Sequence, residues 1–345
     1  MARLKSVQQS GLDTPWRLAH LAVPNRVLLA PLAGIGNWCV RLQAKRYGAG
    51  MAVSEMVSSF AVHYGNEKTC VEMLRLHPDE RATGAGGLAG IVALQLFGQD
   101  PDIMRSAAAR VRATTDVDVI DLNMGCPVPK VAKTGAGAAM LKDPDTAVAV
   151  ARAAREGSGL PVTVKLRSGL VPGDTTSGYD LAHRLVEEAG VAAITFHPRS
   201  AKVQHKGAPD YDLAARLVES LPAPVILTGG LHTADDVVRA YEHTGAAAVM
   251  LARGALGNPW LFSEVLGQRA TEPSGDEILA ELDWMMDRTA EHLGAARAGR
   301  FLRKFYPWYV DRLGGDKSLR SALQQTDDVE AARAVLAASR SVALA

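Results

Sequence analysis

Asn123-Met124-Gly125-Cys126-Pro127 sets an amide three residues ahead of a thiol, in a stretch punctuated by glycine and proline. A thiol ordinarily titrates near about 8.5, so at neutral pH it is mostly protonated and competent to donate a proton. An acid of this kind needs no activation toward thiolate, unlike a nucleophilic cysteine. Two further pairs, Gly229-Gly230 and Arg253-Gly254, combine backbone N–H groups that can be approached closely with a guanidinium that can grip in bidentate fashion. That is the chemistry of a phosphate site. Gln95, Lys165, Arg167, His197, Arg199 and Glu55 are the other polar side chains in apolar surroundings. Each has an ordinary explanation alone: a satisfied core amide, a snorkelling lysine, a cysteine acting as a small hydrophobe, a Gly-Gly turn. Their positions argue against taking them singly, because each lies at or near the end of an apolar run.

There are eight such runs: Asn25–Pro31, Gly50–Glu55, Gly90–Phe97, Val117–Asn123, Pro161–Arg167, Ala192–His197, Pro224–Thr228 and Ala246–Ala252. Continuous rather than alternating hydrophobicity marks parallel strands buried on both faces. Between them Asp102–Thr114, Asp145–Arg155, Tyr179–Ala189, Asp210–Ser220 and Thr233–Thr244 carry helical spacing. Asp100-Pro101, Asp143-Pro144 and Thr233 mark helix starts. Eight βα units predict an α/β fold, a closed (β/α)₈ TIM barrel, in preference to an open doubly wound sheet. In such a barrel chemistry sits at the C-terminal ends of the strands, and the usual phosphate site follows the seventh and eighth. A ring system over the barrel mouth finds an apolar floor in Pro31-Leu32-Ala33 and edge hydrogen bonds from Gln95 and Lys165. A cation at that edge suits a reduced flavin. No strand is followed by GxGxxG with an acidic residue downstream, so no dinucleotide-binding domain of that type is expected.

A barrel needs roughly 250 residues, and the chain has 345. Residues 1–270 are therefore assigned to the barrel and 271–345 to a helical domain, with helices expected at Asp276–Leu293, Ala298–Leu313, Lys317–Gln324 and Val329–Ser339. No apolar run is long enough to span a membrane, and the segment from Met1 to Gln9 is polar with no signal core behind it. Three cysteines lacking metal-ligand spacing argue for a reducing compartment, the cytoplasm, with no disulfide framework and no metal. The formal net charge of +1 does not advertise nucleic-acid binding. Locally the picture differs. Between His292 and Arg320, Arg297, Arg300, Arg303, Lys304, Arg312, Lys317 and Arg320 face only Asp311 and Asp316, interleaved with Phe301, Phe305, Tyr306, Trp308 and Tyr309. An amphipathic helix with a solvated basic face explains this as well as phosphate tracking does.

From the first run through the helical tail, the sequence resembles the tRNA-dihydrouridine synthases. The matching pieces are Ala30-Pro31-Leu32-Ala33-Gly34, Tyr47-Gly48-Ala49-Gly50, Ser54-Glu55-Met56-Val57 and Val164-Lys165-Leu166-Arg167. Arg253-Gly254-Ala255-Leu256-Gly257-Asn258-Pro259-Trp260 is another. The most specific is Asp121-Leu122-Asn123-Met124-Gly125-Cys126-Pro127, continuing through Lys133, Gly135, Gly137, Ala138 and Ala139. The resemblance implies FMN, NADPH as reductant, and reduction of the uracil C5–C6 bond in tRNA by a protein acting as a monomer. It implies FMN contacts from Pro31, Leu32, Ala33, Gln95, Lys165, His197, Thr228, Gly229, Gly230, Ala252 and Arg253, with Cys126 as the acid. Asn123 would help hold the uracil, beside Glu55, Arg167 and Arg199, while Lys130, Lys133, Arg300, Arg303 and Lys304 would meet the RNA. The Gly135–Gly137 stretch reads as a mobile loop able to close on a flipped-out base.

The chain departs from the family pattern at Gly36-Asn37, where Thr-Asp is common, at Thr228 for Asn, at Ala252 for Gly, and at His205 for Tyr. A dihydroorotate or dihydropyrimidine dehydrogenase shares the barrel and an Asn-x-x-Cys-Pro-like motif, but predicts turnover of free pyrimidines and no use for a basic tail. A non-redox phosphate-binding barrel leaves Gln95 and the Cys126 loop idle, and a pure RNA-binding module predicts no flavin.

Overall fold

Each of the eight apolar runs forms a strand, in a computed structural model that describes residues 10–82 and 87–343. The polar segment 1–9, read above as carrying no secretion signal, lies outside the described residues. In chain order the strands are β1 (Trp16–Leu18), β2 (Leu21–Val23), β3 (Val27–Leu29), β4 (Met51–Val53), β5 (Val57–Ser58) and β6 (Ile91–Phe97). They continue with β7 (Val119–Met124), β8 (Val162–Arg167), β9 (Ala193–His197), β10 (Val225–Thr228) and β11 (Ala248–Leu251). β3, β4 and β6 to β11 run parallel, and the sheet closes where Val249 of β11 pairs with Val27 of β3. The architecture is a (β/α)₈ barrel.

Two features of the barrel are absent from the apolar pattern. β1 and β2 form an antiparallel hairpin whose Trp16, Leu18 and Val23 pack with the inward residues Leu28, Met51, Ile91, Val119, Ala193, Ile226 and Ala248. The hairpin plugs the N-terminal end of the barrel interior. The second feature is a split stave. Val53 pairs with Ala93 and Val57 with Leu96, so the β4–β5 side holds one residue more than β6. This one-residue excess is a bulge, which bends its strand and re-aims side chains. The ladder hydrogen bond lost there is replaced by Ser54, whose hydroxyl accepts from Gln95 N at 3.0 Å.

The expected helices surround the barrel, running over Pro101–Thr114, Pro144–Ser158, Ser177–Ala189, Tyr211–Ser220 and Ala234–Thr244. Asp100, Asp143 and Thr233 cap three of them by accepting first-turn N–H groups. A further helix, Trp38–Arg46, was not expected from the sequence. Beyond the barrel come Gly275–Leu293, Ala295–Leu302, Tyr306–Arg312, Lys317–Gln325 and Val329–Ala343. The single helix expected over Ala298–Leu313 is therefore two. Pro307 has no N–H for an intrahelical bond and crowds the preceding turn, so the chain breaks at Arg303–Phe305. The carbonyl of Arg303, freed by the break, accepts from Gln324 Nε2 at 2.6 Å. Among the described residues no helix is long and apolar enough to cross a membrane.

The helical tail is bolted to the barrel through Trp38–Arg46. Glu281 is buried and accepts from Gln43 Nε2 (2.8 Å), Arg46 Nη1 (3.1 Å) and Tyr47 OH (2.7 Å). Gln43 also donates to Tyr309 OH at 2.9 Å. Replacing the carboxylate with an apolar side chain takes away the acceptor that Gln43 and Tyr47 share in a largely buried interface, while the part-exposed Arg46 can turn to water. Glu281→Leu should lower unfolding stability by on the order of 3 kcal/mol in urea titration. A loss below about 0.5 kcal/mol would show that these bonds are not what joins the two parts.

Candidate active site

Side chains alternate along a strand, so odd and even positions separate inside from outside. On β7 this parity turns Asp121 and Asn123 inward, on β8 Thr163, Lys165 and Arg167, on β9 Thr195 and His197, and on β6 Gln95. These residues form the polar upper part of the barrel interior, above the apolar layers closed by the hairpin.

A chain of hydrogen bonds rises through it. Thr163 Oγ1 donates to Asp121 Oδ1 (2.6 Å), and Gln95 Nε2 donates to Asp121 Oδ2 (2.6 Å). Asn123 Nδ2 donates to Gln95 Oε1 at 2.9 Å, and Asn123 Oδ1 accepts from Cys126 N at 2.9 Å. Cys126 is half-buried, and its carbonyl accepts from Ala138 N at 3.0 Å. Gly137 has φ +64°, and a Cβ there would lie 2.7 Å from Cys126 O, so Gly137 packs tightly under the cysteine while Gly135 is exposed. Ala136 is fully buried, and Gly137–Lys142 form a 3₁₀ helix. The stretch expected to be a mobile flap is packed at its Ala136–Gly137 end, where Gly137 serves close backbone approach.

On the other side of the mouth Lys165, Arg167, His197, Arg199, Thr228, Gly229, Gly230, Ala252 and Arg253 line one cavity with Ala30 and Pro31. Gly229 (φ +103°) and Gly230 (φ +81°) take conformations that favour glycine. A Cβ would come within 2.4 Å of the His197 ring at the first and 2.7 Å of Tyr211 OH at the second. Lys165 makes no hydrogen bond among the described residues; burial, then Arg167, lowers its pKa to about 8. His197 is driven far below its usual range by burial and by Lys165, Arg167, Arg199 and Arg253, so it is neutral. It can then accept from Arg199 Nη1 at 3.2 Å. Arg199 Nε is buried without a partner, and Thr228 Oγ1 turns away to donate to Met250 O at 2.8 Å.

Other candidates are engaged within the protein. Arg167 donates to the carbonyls of Gly125 (2.9 Å), Ser200 (3.1 Å) and Gln204 (2.6 Å), tying the Cys126 turn to the loop after β9. Arg199 Nη2 holds Gly207 O at 2.6 Å in that loop, whose His205 faces the cavity. Glu55 Oε2 accepts from Gly34 N at 2.8 Å, and Lys304 Nζ donates to Gly34 O at 2.9 Å. The Pro31–Gly34 floor is thereby held from both sides, with Leu32 buried and Ala33 exposed. Burial raises the Glu55 pKa, against the pull of Gly34 N–H and Lys304.

In the tail Arg297 pairs with Glu72, Arg303 with Asp327, Arg312 with Glu272 and Arg320 with Asp311. Phe305, Tyr306 and Tyr309 are buried. Arg300, like Lys130 and Lys133 beside Cys126, is exposed without an ion pair among the described residues. No cluster of three or more potential metal ligands occurs among the described residues. The sequence reading gave no role to Asp121, Thr163 or Ser54. The available signal was a carboxylate at inward parity with Asn123 inside an apolar run.

The sequence profile of the dihydrouridine synthase family matches residues 28–343. The tRNA-dihydrouridine synthase B of Yersinia pestis is 31% identical over 317 residues, covering 90% of this chain and 95% of that protein. The tRNA-dihydrouridine synthase B of Pasteurella multocida (strain Pm70) is 32% identical over 317 residues, covering 90% and 92%. Among solved structures, morphinone reductase in complex with tetrahydroNAD aligns with a TM-score of 0.50 at 17% identity, over 78% of this chain and 94% of that one, a likeness of fold.

Burial pushes the Asp121 carboxyl up to about 6, with the Thr163 and Gln95 bonds and Lys165 pulling the other way. An unfolded carboxyl titrates near about 3.9, so the folded protein holds this proton more tightly and the ionised form is the unfavourable one. The stability this group contributes is full below about pH 4 and is lost as the pH rises through about 6. Compared with Asp121→Asn, the wild type should therefore lose on the order of 3 kcal/mol between about pH 4 and pH 7 in urea titrations. Parallel pH curves for the two proteins would mean that Asp121 does not titrate in this range.

Proposed function

The chain belongs to the dihydrouridine synthase family, and we propose that it reduces the C5–C6 double bond of specific uridines in tRNA with Cys126 as proton donor. The observation that carries this reading is the joining of two sites at one barrel mouth. A thiol and an amide held by hydrogen bonds stand beside a glycine-lined cavity rich in cations. The lining of that cavity suits the phosphate end of a flavin mononucleotide. Only glycine fits at 229 and 230, where a Cβ would collide with His197 and Tyr211 and bare backbone is left facing the cavity; Arg199 Nε is an unmet donor, and Arg253 adds charge. Bound there, FMN would supply to uracil C6 a hydride that it takes from NADPH.

Lys165, without a partner of its own, would balance negative charge on the reduced ring. The neutral imidazole of His197 contributes shape and an acceptor and leaves the charge to the arginines. Hydride arrival at C6 leaves an electron pair to be shared by C5 and O4, so C5 must take a proton. Cys126 supplies it, breaking its S–H bond as the C5–H bond forms, and regains a proton from solvent. Asn123 keeps one N–H directed at Met56 Sδ, 3.6 Å away, a weak acceptor that a uracil carbonyl would displace. RNA phosphates would meet Lys130, Lys133 and Arg300 at the rim. We assign the reaction to the cytoplasm, where its substrate is found.

Two measurements test the reading. After anaerobic reduction by NADPH, reoxidation of the flavin by unmodified tRNA should slow by about 10²–10⁴-fold in Cys126→Ala, while reduction itself is unchanged. Undiminished reoxidation removes Cys126 from the acid role, and turnover of orotate or free uracil but not tRNA moves the substrate to small pyrimidines. Gly230→Ala, strained at φ +81° and crowding Tyr211, should weaken FMN retention at least about tenfold by fluorescence titration. Full retention would put the phosphate elsewhere.

A further inference from the structure

The proposed mechanism gives no task to the carboxylate inside the barrel. Asp121 lies two residues below Asn123 on β7 and is 1% exposed. Both of its oxygens are met by donors, Thr163 Oγ1 and Gln95 Nε2, each at 2.6 Å. An ionised carboxylate only accepts, so the Gln95 amide must turn its nitrogen down and its oxygen up. That oxygen takes Asn123 Nδ2, which turns the Asn123 oxygen toward the N–H groups of Cys126 (2.9 Å) and Gly125 (3.3 Å). Every bond in the chain points the same way, from the Cys126 turn down to Asp121.

We propose that Asp121 is a positioning residue that sets the direction of this chain, so that Asn123 offers a donor to the barrel mouth and anchors the Cys126 turn. The inference rests on Cys126 as acid and Asn123 as the base-holding amide. Reversal of the chain would put the Asn123 nitrogen against the N–H groups of Gly125 and Cys126, donor facing donor. It would also present an acceptor where a uracil carbonyl needs a donor. Bonds aligned head to tail strengthen one another, and each unmet buried donor is expensive, so one acceptor at the base decides the orientation of two amides above it. What the chain requires at 121 is an acceptor. Asparagine can keep its oxygen on Gln95 and donate to Thr163, whose hydroxyl both donates and accepts. Leucine offers Gln95 nothing.

The test compares wild type, Asp121→Asn and Asp121→Leu, each with flavin bound, in three measurements. Hydrogen exchange at Gly125 and Cys126 should rise at least about tenfold in Asp121→Leu with β9 unchanged, and remain near wild type in Asp121→Asn. Flavin reduction by NADPH should stay within about threefold for all three, while reoxidation by unmodified tRNA slows at least about thirtyfold in Asp121→Leu alone. A purely structural role would raise exchange across the barrel and impair both half-reactions together. Wild-type exchange and reoxidation in Asp121→Leu would overturn the proposal, as would an equal loss in Asp121→Asn, which would mean that charge rather than an acceptor is needed. Asp121→Ala is read in the same way should the leucine variant fail to fold. A wild type that tRNA does not reoxidise refutes the functional reading, and the exchange data then decide the fate of the hydrogen-bond chain.

Discussion

A carboxylate sealed inside a β-barrel must have its oxygens met by donors, since no water is there to do it. Asp121 meets this requirement with Thr163 from one neighbouring strand and Gln95 from the other. The demand propagates upward because amides are two-faced: fixing one end of Gln95 fixes the other, and Asn123 follows. The same strands deliver the cations. Lys165 and Arg167 share the inward parity of Thr163 on β8, so the register that satisfies Asp121 also aims Lys165 into the cation-lined cavity. The Cys126 side and the cation-lined side of the mouth are therefore positioned by a single register, and a one-residue slip would turn both outward.

The eight staves were legible because strands buried on both faces leave uninterrupted apolar runs, and caps such as Asp100 and Thr233 have side-chain chemistry that a sequence displays. The features that escaped notice are short or local. β1 and β2 hold three residues each, too few for a period to emerge. The bulge at Ser54–Met56 shifts one residue and leaves the hydrophobic pattern untouched. The break before Tyr306 was signalled by Pro307, yet the charged and aromatic spacing of Ala298–Leu313 carried across it.

At the site, residue types were legible and their engagements were not. Gln95, Lys165, His197, Gly229 and Arg253 could be found at strand ends because a barrel exposes strand ends on one face. Nothing in the sequence tells that Arg167 serves the carbonyls of Gly125, Ser200 and Gln204, or that Lys304 reaches Gly34. Partners of that kind are backbone atoms far away in the chain, with no side-chain signature. The same blindness affected the basic tail, where seven cations suggested a strong local field. Four of them sit in ion pairs with Glu72, Asp327, Glu272 and Asp311, which weakens that field.

A second group of positive charges gathers at the mouth, in a protein whose formal net charge is only +1. Lys165, Arg167, Arg199 and Arg253 converge on one cavity, and His197 is excluded from protonation by their presence and by its burial. Burial, with Arg199 nearby, brings Arg167 down to about 10. Such a cluster is a liability until an anion occupies it, because like charges in a low-dielectric site oppose folding. Any phosphate taken up there relieves that repulsion and stabilises the folded state in proportion to its affinity. The three carbonyls on Arg167 and the Gly207 carbonyl on Arg199 hold two of the guanidiniums in place before any ligand arrives. The electrostatic strain at the mouth is thus carried by backbone already fixed by the barrel, and it would become binding energy for any anion taken up there.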